Sequence, residues 1–223
     1  MKAILFGATG MVGSGVLHAC LEDLRVERVV SVGRSRSGMR HAKLHEVLLP
    51  DVFDLEGMRS QLRDAHACFF CAGVSAAGMS EADYHRLTFD LTLTAARTVL
   101  AESPDVVFCY VSGAGTDSSE KGRFMWARVK GKTENALLAM PFRAAFMFRP
   151  GYIQPMDGVR SRTRLYRLAY AVTGPLFPLI RRLAPNQVTT SRALGRAMIE
   201  AAERGYPRPI LEVGDINALA GEG

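Results

Sequence analysis

The chain has 223 residues, enough for one α/β domain with a sizeable core, and 48% of them are hydrophobic, which excludes a disordered tail. Its net charge of +6 is spread along the sequence, denser at 34–43 and 160–167, with no nucleic-acid-binding motif beside it. A solvated surface with one basic ligand site is therefore expected, and no nucleic-acid partner.

The opening MKAILFGATG has an apolar run too short for a signal peptide, because it ends in a glycine turn. Residues 2–7 read as a short apolar strand, and 11–24 as a helix with Val12, Val16, Leu17 and Leu21 on one face. RVVSVG at 28–33 suits a strand buried on both faces. Residues 43–49 alternate as a third strand, 55–63 fit a short helix, and ACFFCAG at 67–73 is a fourth strand. A long helix fits 80–102, with Ser80 as its N-cap and Glu81 and Asp83 in its first turn. Residues 106–112 form a fifth strand, 124–139 a helix, and 143–151 a sixth strand ending in a Pro-Gly turn. After Gly151 the pattern changes. Residues 166–183 are apolar and aromatic with arginines at the ends, and read as a helical cap, with a dimer face or a membrane-surface patch as alternatives. Residues 190–204 read as an amphipathic helix and 209–214 as a last strand. The expected fold class is α/β: a doubly wound parallel sheet of Rossmann type with a small, mainly helical C-terminal lobe at about 152–223, all within one domain spanning 1–223.

Cys20, Cys68, Cys71 and Cys109 do not form a disulfide framework for a chain of this size. Cys68 and Cys71 lie three apart on a strand, so their side chains point to opposite faces. Buried thiols are expected rather than a zinc or redox pair, and no metal. No run reaches about 18 uninterrupted apolar residues, so no integral membrane span is expected. Together these features place the chain, as an expectation, in a reducing cytoplasm.

The chemistry begins at GATGMVG. Gly7, Gly10 and Gly13 follow the first strand and open the first helix. Gly7 suits the tight turn, Gly10 the close approach of backbone to a pyrophosphate, and Gly13 the packing of helix on strand. The helix N-terminus adds its positive dipole. Thr9, Met11 and Val12 complete the loop. At the end of the second strand an acid would select NAD by binding its ribose, whereas a base accommodates the 2′-phosphate of NADP. Here stand Gly33, Arg34, Ser35 and Arg36, with no acid. Arg34, helped by Ser35, is the expected phosphate partner, and NADP(H) the expected cofactor.

These features, with four later motifs, resemble the atypical branch of the short-chain dehydrogenase/reductase superfamily, whose members are described as NAD(P)-binding or epimerase/dehydratase-like. The resemblance covers about residues 1–155. Cys71-Ala72-Gly73 looks like the family's Asn-Ala-Gly, and Tyr110-Val111-Ser112-Gly113 ends the strand that carries the catalytic hydroxyl. Trp126-Ala-Arg-Val-Lys130 stands in the place of Tyr-x-x-x-Lys, and Arg149-Pro150-Gly151-Tyr152 resembles the turn beside the nicotinamide. The resemblance implies cofactor roles for Ala72, Gly73, Lys130, Pro150 and Gly151, and weaker adenine contacts for Asp51 and Phe53. It also allows a homodimer.

The departure is Trp126. The family's tyrosine exchanges a proton with a carbonyl oxygen. An indole N–H only donates a hydrogen bond and cannot take that part. Lys130 lies one helical turn on, on the same face. Ser112, Lys130 and Tyr152 are the catalytic candidates, with Thr116, Tyr84 and His85 as further titratable or hydroxyl groups. The expected function is an NADP(H)-dependent oxidoreductase acting on a small carbonyl compound. The alternatives are a non-catalytic NADP(H) sensor or scaffold, and a sugar-nucleotide epimerase or dehydratase. About seventy residues after Gly151 make a small lobe for the last of these.

Overall fold

The structure, a computed structural model, describes residues 1–156 and 184–222. Its first strand, β1 (Lys2–Phe6), sets the pattern. Ala3 and Leu5 point to one face and Ile4 and Phe6 to the other, and all four are buried. A strand covered on both faces needs helices on both sides, and the chain supplies them. β2 (Arg28–Gly33) and β3 (Leu44–Leu48) extend the sheet on one side of β1. β4 (Ala67–Phe70), β5 (Val107–Val111), β6 (Ala144–Arg149) and β9 (Ile210–Glu212) extend it on the other. The order is β3-β2-β1-β4-β5-β6-β9, and every neighbouring pair is parallel. This is the expected doubly wound sheet.

One face carries α1 (Met11–Glu22) and α6 (Ser191–Arg204). Val16, Leu17 and Cys20 of α1 share a core there with Leu194, Ala197 and Met198 of α6 and with Leu5, Phe69 and Phe146 of the sheet. The other face carries α2 (Arg59–Leu62), α4 (Leu91–Glu102) and α5 (Met125–Leu138), packed over Ile4, Phe6, Phe70, Phe108 and Tyr110. Ser80 caps α3 (Glu81–His85), accepting from the Asp83 amide at 3.1 Å as expected. The long helix is interrupted, however: a π-helical turn at Arg86–Asp90 joins α3 to α4.

The chain order of strands and helices agrees with the sequence expectation. Two further pieces escaped it. β7 (Tyr152–Gln154) and β8 (Val188–Thr190) form a separate parallel pair, and α7 (Val213–Leu219) follows β9 directly. Three-residue strands are too short to show alternation. The C-terminal part is helical, and its α6 and β9 join the main layers. All four cysteines are free. Cys68 packs on one face of the sheet and Cys71 against the other. The apolar basic segment at 166–183 lies outside the described residues. Among those described, no helix is long and apolar enough to cross a membrane.

Candidate functional site

Parallel sheets of this order open a crevice where the strand order reverses, at the carboxyl ends of the strands. Here the reversal lies between β1 and β4. Two adjoining hollows sit there, of about 530 and 420 Å³, both within the usual range for ligand sites. They share Gly10, Cys71, Ala72, Gly73 and Val74, so they form one elongated cleft.

The glycine turn forms the floor between the two halves. Gly7 has φ +86°, and a Cβ there would stand 2.6 Å from the Ala72 amide nitrogen. Only glycine fits that backbone and that approach. A Cβ on Gly13 would stand 2.1 Å from the Gly7 carbonyl oxygen, so helix and turn touch through bare backbone. Gly10 caps α1 with no side chain over the first turn, which leaves its amides facing the crevice. A flat, uncapped amide cradle of this kind fits a diphosphate.

The smaller hollow is lined by Gly7, Thr9, Val32, Gly33, Arg34, Val52, Leu87 and Leu91 among others. Arg34 is exposed at its edge. Its neighbour Arg36 is engaged with Glu46 at 3.5 Å, while Glu46 also accepts from the Ser37 amide at 2.6 Å and ties the loop down. Ser35 is exposed and does not line the cleft. Asp51 and Phe53 flank the site without lining it. Asp51 accepts from the Phe53 amide, and the Phe53 ring lies under Arg86, 5.2 Å away. Val52 between them is the residue that reaches the cleft.

The larger hollow brings together Met11, Val12, Val111, Ser112, Gly113, Ala114, Lys130, Pro150, Gly151 and Ile153. Helix α5 delivers its chemistry through a spacing of four. Trp126, Lys130 and Glu134 lie on one face, the first two part-buried and Glu134 fully buried. Trp126 reaches over Gly115, where a Cβ would meet the ring at 3.4 Å. Lys130 donates from Nζ to the Ser112 carbonyl oxygen. Burial, opposed by the Glu134 charge, lowers the Lys130 ammonium to about 8. Glu134 is fully buried. It accepts from Ser112 Oγ at 2.5 Å and from Arg149 through Nη2 at 2.5 Å and Nε at 3.1 Å. Arg149 reaches on to Ser118 Oγ at 2.6 Å. The Ser112 hydroxyl also lies 3.1 Å from the Phe148 carbonyl oxygen.

Most of the residues expected from the sequence therefore converge, but not all. Gly13 acts from behind the turn. Tyr152 lies on β7, donates to Gln154 Oε1 at 3.0 Å and does not line either hollow. Thr116 donates to the Gly113 carbonyl oxygen at 2.7 Å. Tyr84 is buried, and His85 packs tilted against Phe89, beside Lys132 and Asp90, and lines neither hollow. Tyr152→Phe is accordingly expected to leave cofactor affinity within about twofold of the parent in a fluorescence titration; a loss beyond tenfold would return Tyr152 to the site. The sequence reading missed Glu134. Its signal was present, a carboxylate four residues after Lys130, but such a pair usually lies on a solvated helix face.

No protein-family model matches the chain. Among curated proteins, the mitochondrial protein fmp52 of Emericella nidulans is 28% identical over 205 residues, 88% of this chain and 85% of that one. The mitochondrial protein fmp52-1 of Aspergillus terreus is 32% identical over 167 residues, 72% of this chain and 68% of that one. Among solved structures, a short chain dehydrogenase family protein from Francisella tularensis superposes with a TM-score of 0.65 at 12% identity, over 92% of this chain and 91% of that one. The fold is thus that of short-chain dehydrogenases. The expectation of a cytoplasmic protein is corrected, since both relatives are named mitochondrial. Neither the free cysteines nor the lengths of the apolar runs distinguish one compartment from another. With 32% identity over more than two thirds of a relative's length, the chain belongs to the Fmp52 family.

Proposed function

We propose that this protein is an NADP(H)-dependent oxidoreductase that reduces a small carbonyl compound. The carrying observation is the continuous cleft that runs from Arg34, past the uncapped amides of α1, to Lys130. Its length and its order of chemistry suit a dinucleotide: a cation at one end, an anion cradle in the middle, and a lysine at the other end. In this reading Gly7, Thr9, Gly10, Met11, Val12 and Gly13 form the diphosphate loop. Ala72 and Gly73 pack against the cofactor from β4, and Pro150 and Gly151 close the nicotinamide end. Lys130 holds the ribose. Bound there, the nicotinamide would supply a hydride.

Arg34 supports the choice of NADP. No acid stands at the end of β2, and Arg34 has no ion pair among the described residues, whereas Arg36 is held by Glu46. An uncommitted guanidinium at the adenosine end is a phosphate partner. Charge-assisted hydrogen bonds contribute about 1.5–3 kcal/mol, or roughly 10- to 100-fold in affinity. Fluorescence titration is expected to show tighter binding of NADPH than NADH, and Arg34→Ala to abolish most of that preference. Tighter binding of NADH by the parent chain would sink the assignment.

Beside Lys130 the larger hollow is lined by Val74, Ser75, Val111, Ala114 and Ile153. It suits a compact, largely apolar carbonyl compound. NADPH oxidation with a panel of aldehydes and ketones tests the reaction. Trp126, at the position the resemblance assigns to the phenol, favours the second reading, a protein that binds NADP(H) without turnover. Tight binding with no oxidation on the panel would establish that reading instead.

A further inference from the structure

A carbonyl reductase must deliver a proton to the substrate oxygen, and the usual phenol has no counterpart at Trp126. We propose that Lys130 is the acid that protonates the substrate oxygen. This rests on the reductase reading above.

The cleft itself narrows the choice. Among the described residues that line its larger end, the side chains able to give up a proton are Cys71, Ser75, Ser112 and Lys130. Burial pushes the Cys71 thiol far up, which makes it a weak acid. Ser75 lies in an exposed stretch, where its hydroxyl, a weak acid, accepts from the Ala77 amide at 3.3 Å. Ser112 has one hydroxyl proton, and both of its acceptors, Glu134 and the Phe148 carbonyl, lie behind the cleft wall. The hydroxyl is thereby turned away from a substrate. The Trp126 indole donates without titrating. Lys130 is different on each count. Its ammonium has three donors, of which the Ser112 carbonyl takes one. It lines the larger hollow beside Gly113, whose added Cβ would stand 3.8 Å from Nζ, in ordinary contact.

The electrostatics suit the role. Glu134 lies one turn deeper on the same helix and favours the ammonium. Arg149 on β6 neutralises much of that carboxylate, and Glu212 on β9 stands 3.5 Å from Arg149. Tyr110 on β5 is buried, and burial holds its phenol far above the range in which it would ionise. Burial then brings the Lys130 ammonium down to about 8, close to working pH, where a general acid is most effective.

The step balances simply. As hydride reaches the carbonyl carbon, the C=O π electron pair takes a proton from Lys130 Nζ. The substrate leaves as an alcohol, the nicotinamide is oxidised, and Lys130 remains as a neutral amine. It recovers a proton from water through the open cleft.

The test compares the full chain with Lys130→Arg, which keeps the charge but cannot release a proton in the accessible range. Three readouts are needed: NADPH affinity by fluorescence, kcat/KM against pH on the aldehyde panel, and the pH dependence of Lys130 acylation by acetic anhydride, followed by mass spectrometry. The active form is protonated, so kcat/KM of the parent should fall as pH rises through about 8, and acylation of Lys130 should rise with the same midpoint. Lys130→Arg should lose about 10²- to 10⁴-fold in kcat/KM at saturating NADPH and lose the limb, and it is loss of the limb that separates loss of the acid from weaker ribose binding. Turnover by Lys130→Arg within threefold of the parent, with the limb intact, would overturn the acid role and leave the reductase reading standing. An acylation midpoint near that of an ordinary lysine, about 10.4, would do the same. NADPH binding without turnover by the parent on any carbonyl would remove both.

Discussion

Glu134→Ala is expected to destabilise the folded chain by about 3–5 kcal/mol, because it strips the partner from a buried charge. Glu134 is fully buried, and the Arg149 side chain is 12% exposed. Their ion pair has two hydrogen bonds, and Ser112 Oγ supplies a third to the carboxylate. Truncation leaves the guanidinium with Ser118 Oγ at 2.6 Å and a longer contact to Glu212 at 3.5 Å. For a chain of this length each kcal/mol moves the melting temperature by about 2–4 °C, so a drop of roughly 10 °C is expected. Differential scanning calorimetry measures it. A shift under about 2 °C would mean that Arg149 finds enough compensation at Ser118 and Glu212. Glu134→Gln keeps an acceptor for Ser112 without the charge, and should fall between the parent and alanine.

The second large effect concerns the diphosphate turn. Gly13→Ala would place a carbon 2.1 Å from the Gly7 carbonyl oxygen, a contact with backbone that no rotamer change can relieve. Either α1 slides or the turn opens. Overpacking of this kind costs about 1–3 kcal/mol in stability, and displacement of the amides should lower NADPH affinity by a further factor of about 10–100 through lost hydrogen bonds. Gly10→Ala is the informative control. Its Cβ would meet the same oxygen at 3.3 Å, a contact that a few tenths of an ångström relieve. Its melting temperature should stay nearer that of the parent. Equal behaviour of the two variants would show that close packing of helix on turn is not what Gly13 provides.

Trp126 and Glu134 differ instructively in how readable they were. Trp126 stood out in the sequence because a motif predicts the residue type at its position. Glu134 did not, although it stands in the same four-residue series. Whether a charged helix residue faces water or a core depends on what packs against that face. Here β6 brings Arg149 and β5 brings Ser112 to the same place, from far along the chain. The long helix shows the same limit. Its N-cap at Ser80 was legible, because capping is a local bond between neighbours. The π turn at Arg86–Asp90 was not. It interrupts the register of a continuous helix, with Leu87 inside it and Leu91 just after it reaching the cleft.

Local rules thus determined much of this protein from its sequence. Strand and helix order followed from hydrophobic period, the glycine turn from conformational need, and the shortage of an acid at the end of β2 from plain reading. The tertiary structure decided what those rules leave open. It brought Val52 rather than Asp51 or Phe53 to the cleft and left Ser35 and Tyr152 outside it. It turned the Ser112 hydroxyl onto Glu134. These outcomes depend on contacts between residues far apart in the chain, and on burial, which lowers the Lys130 ammonium. Neither quantity belongs to any short stretch of sequence.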